Sequence, residues 1–198
     1  MNIYFTSDTH AYHKNIVKGS TQWSDKDRCR DFDNEEKMTE TLIKNINDNV
    51  KYDDVLYHLG DVAFGGIDKL FKFRDRLNVR KIHLIYGNHD HHIINNRQYD
   101  GRYAQDLFTS CQYYLEKKIM GQRIIMCHYA MRVWNKSHHG SWMFYGHSHG
   151  TLPEPKCKST DVGVDTHPEF RPYSFDEVKA RMDSRIVDQI DHHSSRTN

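Results

Sequence analysis

Cysteine is scarce and scattered. Cys29, Cys111, Cys127 and Cys157 form no Cys-x-x-Cys pair and keep no regular spacing, which points to free buried thiols rather than a disulfide framework or a zinc site built on cysteine. Long apolar runs are missing too. No stretch approaches the ~20 residues that cross a bilayer, and the opening MNIYFTSDTH has neither the basic region nor the apolar run of a signal peptide. A cytoplasmic protein is expected. Net charge is also lacking: 28 Lys and Arg face 27 Asp and Glu, so the chain has no general attraction for a nucleic-acid backbone or an anionic membrane, although a local basic groove stays open. With no internal repeat, low-complexity tract or shift in composition, the 198 residues read as one domain, 1–198, with a polar tail over 184–198 free to fray.

Histidine is abundant, at 15 residues. It is the commonest metal ligand and titrates nearest neutrality, so the positions of these residues carry the argument.

Short apolar, β-branched and aromatic segments recur at Ile3 to Phe5, Val55 to Leu59, Ile82 to Tyr86, Ile124 to Cys127 and Trp142 to Tyr145. Consecutive apolar positions suit strands buried on both faces. Between the first three lie helical patterns, Glu36 to Asn49 and Ile67 to Leu77, so the first half reads as α/β with parallel pairing. In the second half Gln112 to Ile119, Gly121 to His128 and Ser141 to His147 are strand-like without long helices between them, and Gly121 marks a hairpin bend. Ser174 and Glu177 form a capping-box pattern that starts a last helix.

Polar residues cluster where these strands end. Asp8 and His10 follow the first strand, and two residues apart in extended backbone they share a face. Asp61 follows the second strand in His-Leu-Gly-Asp. Asn88, His89 and Asp90 follow the third in Gly-Asn-His-Asp, His128 ends a fourth, and His147 and His149 end a fifth in Gly-His-Ser-His-Gly. Open α/β sheets place ligands beyond the carboxyl ends of their strands, so these loops should converge.

In that order, from Asp8 to His149, the motifs resemble those of the calcineurin-like metallophosphoesterase family. The resemblance implies a four-layer α/β/β/α sandwich of two mixed β-sheets flanked by helices, with a dinuclear metal site at one edge. It assigns Asp8, His10, Asp61 and His149 to one ion and Asp61, Asn88, His128 and His147 to the other. Asp61 bridges, and a hydroxide between the ions is the nucleophile. His89 and Asn88 would touch the phosphate, with His89 giving a proton to the leaving oxygen and Asp90 fixing its tautomer. Small bacterial and viral members carry a similar extended first motif, which places His13 either in the pocket or on the surface. Arg30 either meets the substrate phosphate or is a solvated charge.

His91, His92, His138, His139, His192 and His193 lack partners at ligand spacing. Trp134 and Trp142 offer faces for a nucleobase, with Trp142 placed in the core by its apolar strand. Mixed N and O ligands without thiolate favour Mn²⁺, with Zn²⁺, Fe or Ni²⁺ as alternatives. Two divalent ions carry about +4 against two carboxylates, an excess that a hydroxide and a diester monoanion neutralise. The expected function is hydrolysis of small phosphodiesters such as cyclic nucleotides. The alternatives are a phosphomonoesterase, a nuclease and a non-catalytic metal-binding scaffold. No sequence feature fixes an oligomeric state.

Overall fold

The computed structural model describes residues 1–153 and 155–187; His192, His193 and most of the expected tail lie outside the described residues. Its strands are β1 (Ile3–Thr6), β2 (Val55–His58), β3 (Lys81–Ile85), β4 (Gln98–Tyr99), β5 (Arg102–Tyr103), β6 (Ser110–Gln112), β7 (Tyr114–Ile119), β8 (Gln122–Cys127), β9 (Trp142–Tyr145), β10 (Ser159–Asp161) and β11 (Tyr173–Ser174). The helices are α1 (Glu35–Asn49), α2 (Ile67–Asp75), α3 (His91–Ile94) and α4 (Phe175–Asp183).

One sheet runs β11-β1-β2-β3-β6, parallel except where β11 joins β1. The other runs β10-β9-β8-β7, parallel except for the β7-β8 hairpin. Both sheets are mixed and helices flank them, as the family likeness implies. The α1 stripe of Met38, Leu42, Ile43 and Ile46 and the α2 residues Leu70, Phe71 and Phe73 bury against Leu56, Ile82 and Leu84 on one face of the first sheet. Asn34 caps α1 by accepting the Lys37 amide at 2.8 Å, and Glu35 and Glu36 sit in its first turn, where the helix dipole favours anions. The opposite face, with Phe5, Tyr57 and Ile85, packs on Ile124, Met126, Trp142 and Phe144 of the second sheet. The Phe5 and Phe144 rings meet edge-on at 4.9 Å.

Helix α4 enters this same core through Phe175, Val178 and Met182, and its Ser174 and Glu177 form the capping box read from the sequence. The outer face of the second sheet is covered by the loop after β8: Trp134 packs there on Ile125, Met143 and Tyr145.

The expected strand Gln112 to Ile119 is two strands on different sheets, β6 and β7, and the chain crosses over at Tyr113. No Gly or Pro marks that crossing, because it is set by partners elsewhere in the chain and not by local backbone preference. The β7-β8 turn has Met120 and Gly121 both at positive φ (47° and 86°), the two-residue turn whose twist matches its strands.

Candidate metal centre

The loops after β1, β2, β3, β8 and β9 meet at one edge of the sandwich. The β1 loop is stitched to the β2 loop by Asp8 N donating to Gly60 O (2.9 Å), His10 N to Asp61 O (3.0 Å) and Ala11 N to Val62 O (3.1 Å). The loop after β9 joins them through His147 N, which donates to Asp8 Oδ2 at 2.9 Å. Asp8 and His10 do not share a face through extended backbone, as their spacing suggested. Both are left-handed (φ 55° and 46°), and so are Asp61 (58°), His147 (65°) and His149 (47°). Such residues cost ~1–3 kcal/mol each and persist where the surroundings over-determine them.

Two glycines permit the close approach. A Cβ on Gly87 would lie 2.2 Å from Asp61 Oδ1, and one on Gly146 would lie 1.9 Å from Ser7 Oγ and 2.4 Å from Asp8 Oδ2. Neither has positive φ, so space rather than backbone freedom demands glycine here.

The side chains gather as two groups, Asp8 with His10 and His149, and Asp61 with His128 and His147. In the first, Asp8 Oδ1 lies 3.8 Å from His10 Nε2 and 3.8 Å from His149 Nε2. In the second, Asp61 Oδ2 lies 3.6 Å from His128 Nε2, and Asn88 Oδ1 lies 3.1 Å from His128 Nε2 and 3.0 Å from His147 Nδ1. The same Asp61 Oδ2 is 3.5 Å from His10 Nε2, so this one oxygen faces both groups. Its partner Oδ1 accepts the His89 backbone N–H at 2.8 Å.

The donor set fits divalent cations. Asp8 Oδ1 is buried without a hydrogen-bond partner among the described residues, an arrangement that is costly unless something else satisfies it. Burial pushes the Asp8 carboxyl up to about 6 against the pull of His149 and His128. Burial, then Arg30, holds His10 well below its usual range, in the neutral form that ligates. Two imidazoles are aimed by their other nitrogen: His128 Nδ1 donates to Leu59 O and His149 Nδ1 to Asp165 Oδ2, each at 2.6 Å, leaving Nε2 for an ion.

Asp165 escaped the sequence reading, and Arg30, which lines the cavity over the site, is not the solvated charge that one reading made it. Arg30 is 8% exposed, not solvated. Its Nε and Nη2 donate to the two Asp165 oxygens, both at 2.7 Å, its Nη1 to Thr9 O and Met38 Sδ, and its Nη2 also to Asp8 O at 2.6 Å. All five guanidinium N–H groups are thereby engaged within the protein. Burial would raise the Asp165 carboxyl, but Arg30 and His149 outweigh it and hold it below the ordinary carboxylate range.

Asp90 also needs correction. Its carboxylate accepts from Gly87 N (2.8 Å), Asp61 N (2.9 Å) and Val62 N (3.0 Å), so it ties the β2 and β3 loops together instead of holding the His89 imidazole. The His89 ring stands beside His10 and Phe64 at centroid distances of 5.5 and 5.2 Å.

A cavity of about 500 Å³ opens over both groups, with His89, Asn88, His13 and Trp23 in its wall. His13 lies against Phe64 at 3.8 Å between centroids; burial, then His89 and Arg30, lowers it to about 4. Trp134 and Trp142 are buried core residues, and Trp134 Nε1 donates to Ser141. Neither offers a free face. Trp23 does, and an aromatic residue in the loop between two motifs was the signal available for it. His91 is exposed, His92 lies near Gly65 O at 3.1 Å, and neither they nor His138 and His139 join a metal-ligating group.

No helix among the described residues is long and apolar enough to cross a membrane. Residues 1–162 match the calcineurin-like phosphoesterase superfamily domain. The uncharacterized protein MJ1445 of Methanocaldococcus jannaschii is 30% identical over 184 residues, 89% of this chain and 88% of that protein. Among solved structures, the protein of unknown function AQ665 from Aquifex aeolicus superposes with a TM-score of 0.62 at 20% identity, covering 91% of this chain and 98% of that one. A novel archaeal phosphodiesterase gives 0.48 at 21% identity, over 82% and 84%. The domain match spans every residue of both candidate metal-holding groups, so the chain belongs to the calcineurin-like phosphoesterase superfamily and is a metal-dependent hydrolase of phosphate esters.

Proposed function

We propose that the chain is a dinuclear phosphoesterase that prefers small phosphodiesters. The supporting observation is Asp61 Oδ2, 3.5 Å from a nitrogen of one group and 3.6 Å from a nitrogen of the other, the placement required of a shared carboxylate. Asp8, His10, His149 and Asp61 would hold one ion, and Asp61, Asn88, His128 and His147 the other. When bound, such a pair supplies positive charge for the phosphate and acidifies water.

The chain's own groups do the rest. His89, fixed through its backbone N–H on Asp61 Oδ1, presents its imidazole to the cavity and gives a proton to the leaving oxygen. Asn88 and His13 orient the ester. Arg30, with its donors engaged, braces the Asp8 loop and does not contact the phosphate. Two ligating carboxylates against two divalent ions leave an excess of about +2, which suits a diester monoanion with hydroxide better than a monoester dianion. Manganese is the favoured ion for this mixed N and O set.

The test is an activity panel. Metal-stripped protein is reconstituted separately with Mn²⁺, Zn²⁺, Fe²⁺ and Ni²⁺, and bis(4-nitrophenyl) phosphate is compared with 4-nitrophenyl phosphate. Turnover of the diester that saturates at two equivalents of metal supports the reading. Faster monoester hydrolysis makes the chain a phosphatase, and saturation at one equivalent ends the dinuclear assignment.

A further inference from the structure

Aromatic side chains stand on both flanks of the metal centre, and neither core packing nor ligation uses them. On the side of the first group, Trp23 is 51% exposed in the cavity wall, in edge contact with His13 at 6.2 Å, and His13 in turn is 5.4 Å from the ligand His10. On the side of the second group, Tyr129 is 49% exposed and stands edge-on to His147 at 4.8 Å and to His128 at 5.1 Å. An indole half in water, touched only at its edge by His13, is a large apolar surface with a face left open to the cavity.

The loop carrying Trp23 is held at its neck. Arg30 N donates to Ile16 O (2.8 Å) and Lys18 N to Arg30 O (2.9 Å), and Arg30 itself is fixed to Asp165 and to the Asp8 loop. The loop is thereby anchored beside the first group, where the indole meets His13, and Tyr129, next in sequence to His128, stands beside the second. A monoester has one organic arm and would leave one of these faces bare. A diester has two.

Building on the phosphodiesterase reading, we propose that the substrate is a linear diester joining two nucleoside-like groups, one planar base resting on Trp23 and the other on Tyr129. The two residues determine specificity by stacking, and the ester bond sits between them over the two metal-ligating groups. One ring-to-ring step beyond His13 separates Trp23 from the ligands, and a pentose between phosphate and base spans such a gap.

The test compares Mn²⁺-loaded protein acting on a dinucleoside monophosphate of two adenosines and on glycerophosphoglycerol, a linear diester without rings. Wild-type protein should favour the dinucleotide in kcat/KM by about 100-fold, and Trp23→Ala and Tyr129→Ala should each reduce that ratio by about tenfold or more, through KM. Trp23→Phe should restore most of the preference. Because Trp134 and Trp142 are buried, adenosine should quench tryptophan fluorescence in wild-type protein and not in Trp23→Leu. An unchanged ratio in both alanine variants overturns the proposal, and a loss confined to Trp23→Ala overturns its two-armed form. Turnover of bis(4-nitrophenyl) phosphate without preference for the dinucleotide rejects the stacking subsites and leaves the phosphodiesterase reading standing. Inertness toward all three diesters rejects both.

Discussion

His149 Nδ1 donates to Asp165 Oδ2 at 2.6 Å, and Arg30 grips the same carboxylate through Nε and Nη2. The bond sets which imidazole nitrogen faces Asp8. Replacing such an outer partner of a ligating histidine lowers metal affinity by roughly 10–100-fold. Asp165→Asn should therefore weaken one of two binding steps in a Mn²⁺ titration and leave the other in place. Equal weakening of both steps, or of neither, would show that Asp165 does not orient His149.

Gly146 lies against the first motif so closely that a methyl group would enter Ser7 Oγ and Asp8 Oδ2. Overpacking of this kind costs ~1–3 kcal/mol, and relief requires moving the Asp8 carboxylate. Gly146→Ala should lower the melting temperature by several degrees and abolish binding at the first group. Gly121→Ala is the contrast: nothing lies within 4 Å of its added methyl, so it meets only the strain of φ 86° and should bind metal normally.

Much of this site was legible from short-range pattern. Apolar runs of three to five residues, each followed closely by a glycine or a polar cluster, located the candidate ligands Asp8, Asp61, Asn88, His128 and His147 at strand ends. Their gathering follows from parallel pairing, since neighbouring parallel strands end on the same side. Asp165 was illegible because its partners lie 16 and 135 residues away and its own neighbourhood, Val-Gly-Val-Asp, reads as one more strand end. The burial of Arg30 was hidden for the same reason: within Asp-Arg-Cys-Arg-Asp every local cue is a solvated charge. The left-handed backbone at Asp8 and His10 had no local cue either, because these loops hold their shape through bonds to the Gly60 and Asp61 carbonyls.

His89 and Asp90 are neighbours in sequence with different duties, and two variants separate them. His89→Ala removes a cavity side chain and should leave metal content and melting temperature near wild type while turnover falls ~10²–10⁴-fold. Asp90→Ala strips the acceptor from the Gly87, Asp61 and Val62 amides, and each buried N–H left unsatisfied costs ~1–3 kcal/mol. The melting temperature of Asp90→Ala should drop far below that of His89→Ala. Comparable stability in the two would return Asp90 to the role of orienting His89.

Protons and metal compete for Asp8. Burial raises its carboxyl from 3.8 to about 6 in the metal-free fold, so the folded state holds a proton through that interval that the unfolded state has released. The Asp8 contribution to the stability of metal-free protein then falls as pH rises from 3.8 toward 6, and its full penalty applies above 6. Cations reverse the trend, because binding requires the carboxylate and expels the proton. The Mn²⁺ affinity of the first group should fall as pH drops through about 6, with one proton released per ion bound well below that value. Glu177, lowered to about 2 chiefly by its hydrogen bond to Arg171, works in the opposite sense: it contributes stability above 4.5 that is lost as pH falls toward 2. Between 4.5 and 6 the buried histidines His10, His13 and His58, all lowered chiefly by burial, make stability rise with pH, so Asp8 is read there as a difference between variants. Denaturant midpoints measured there on metal-free protein should rise with pH less steeply in wild type than in Asp8→Asn, which lacks the opposing Asp8 contribution. Parallel slopes would assign the proton to another buried carboxyl, Asp90 or Asp161, both raised by burial.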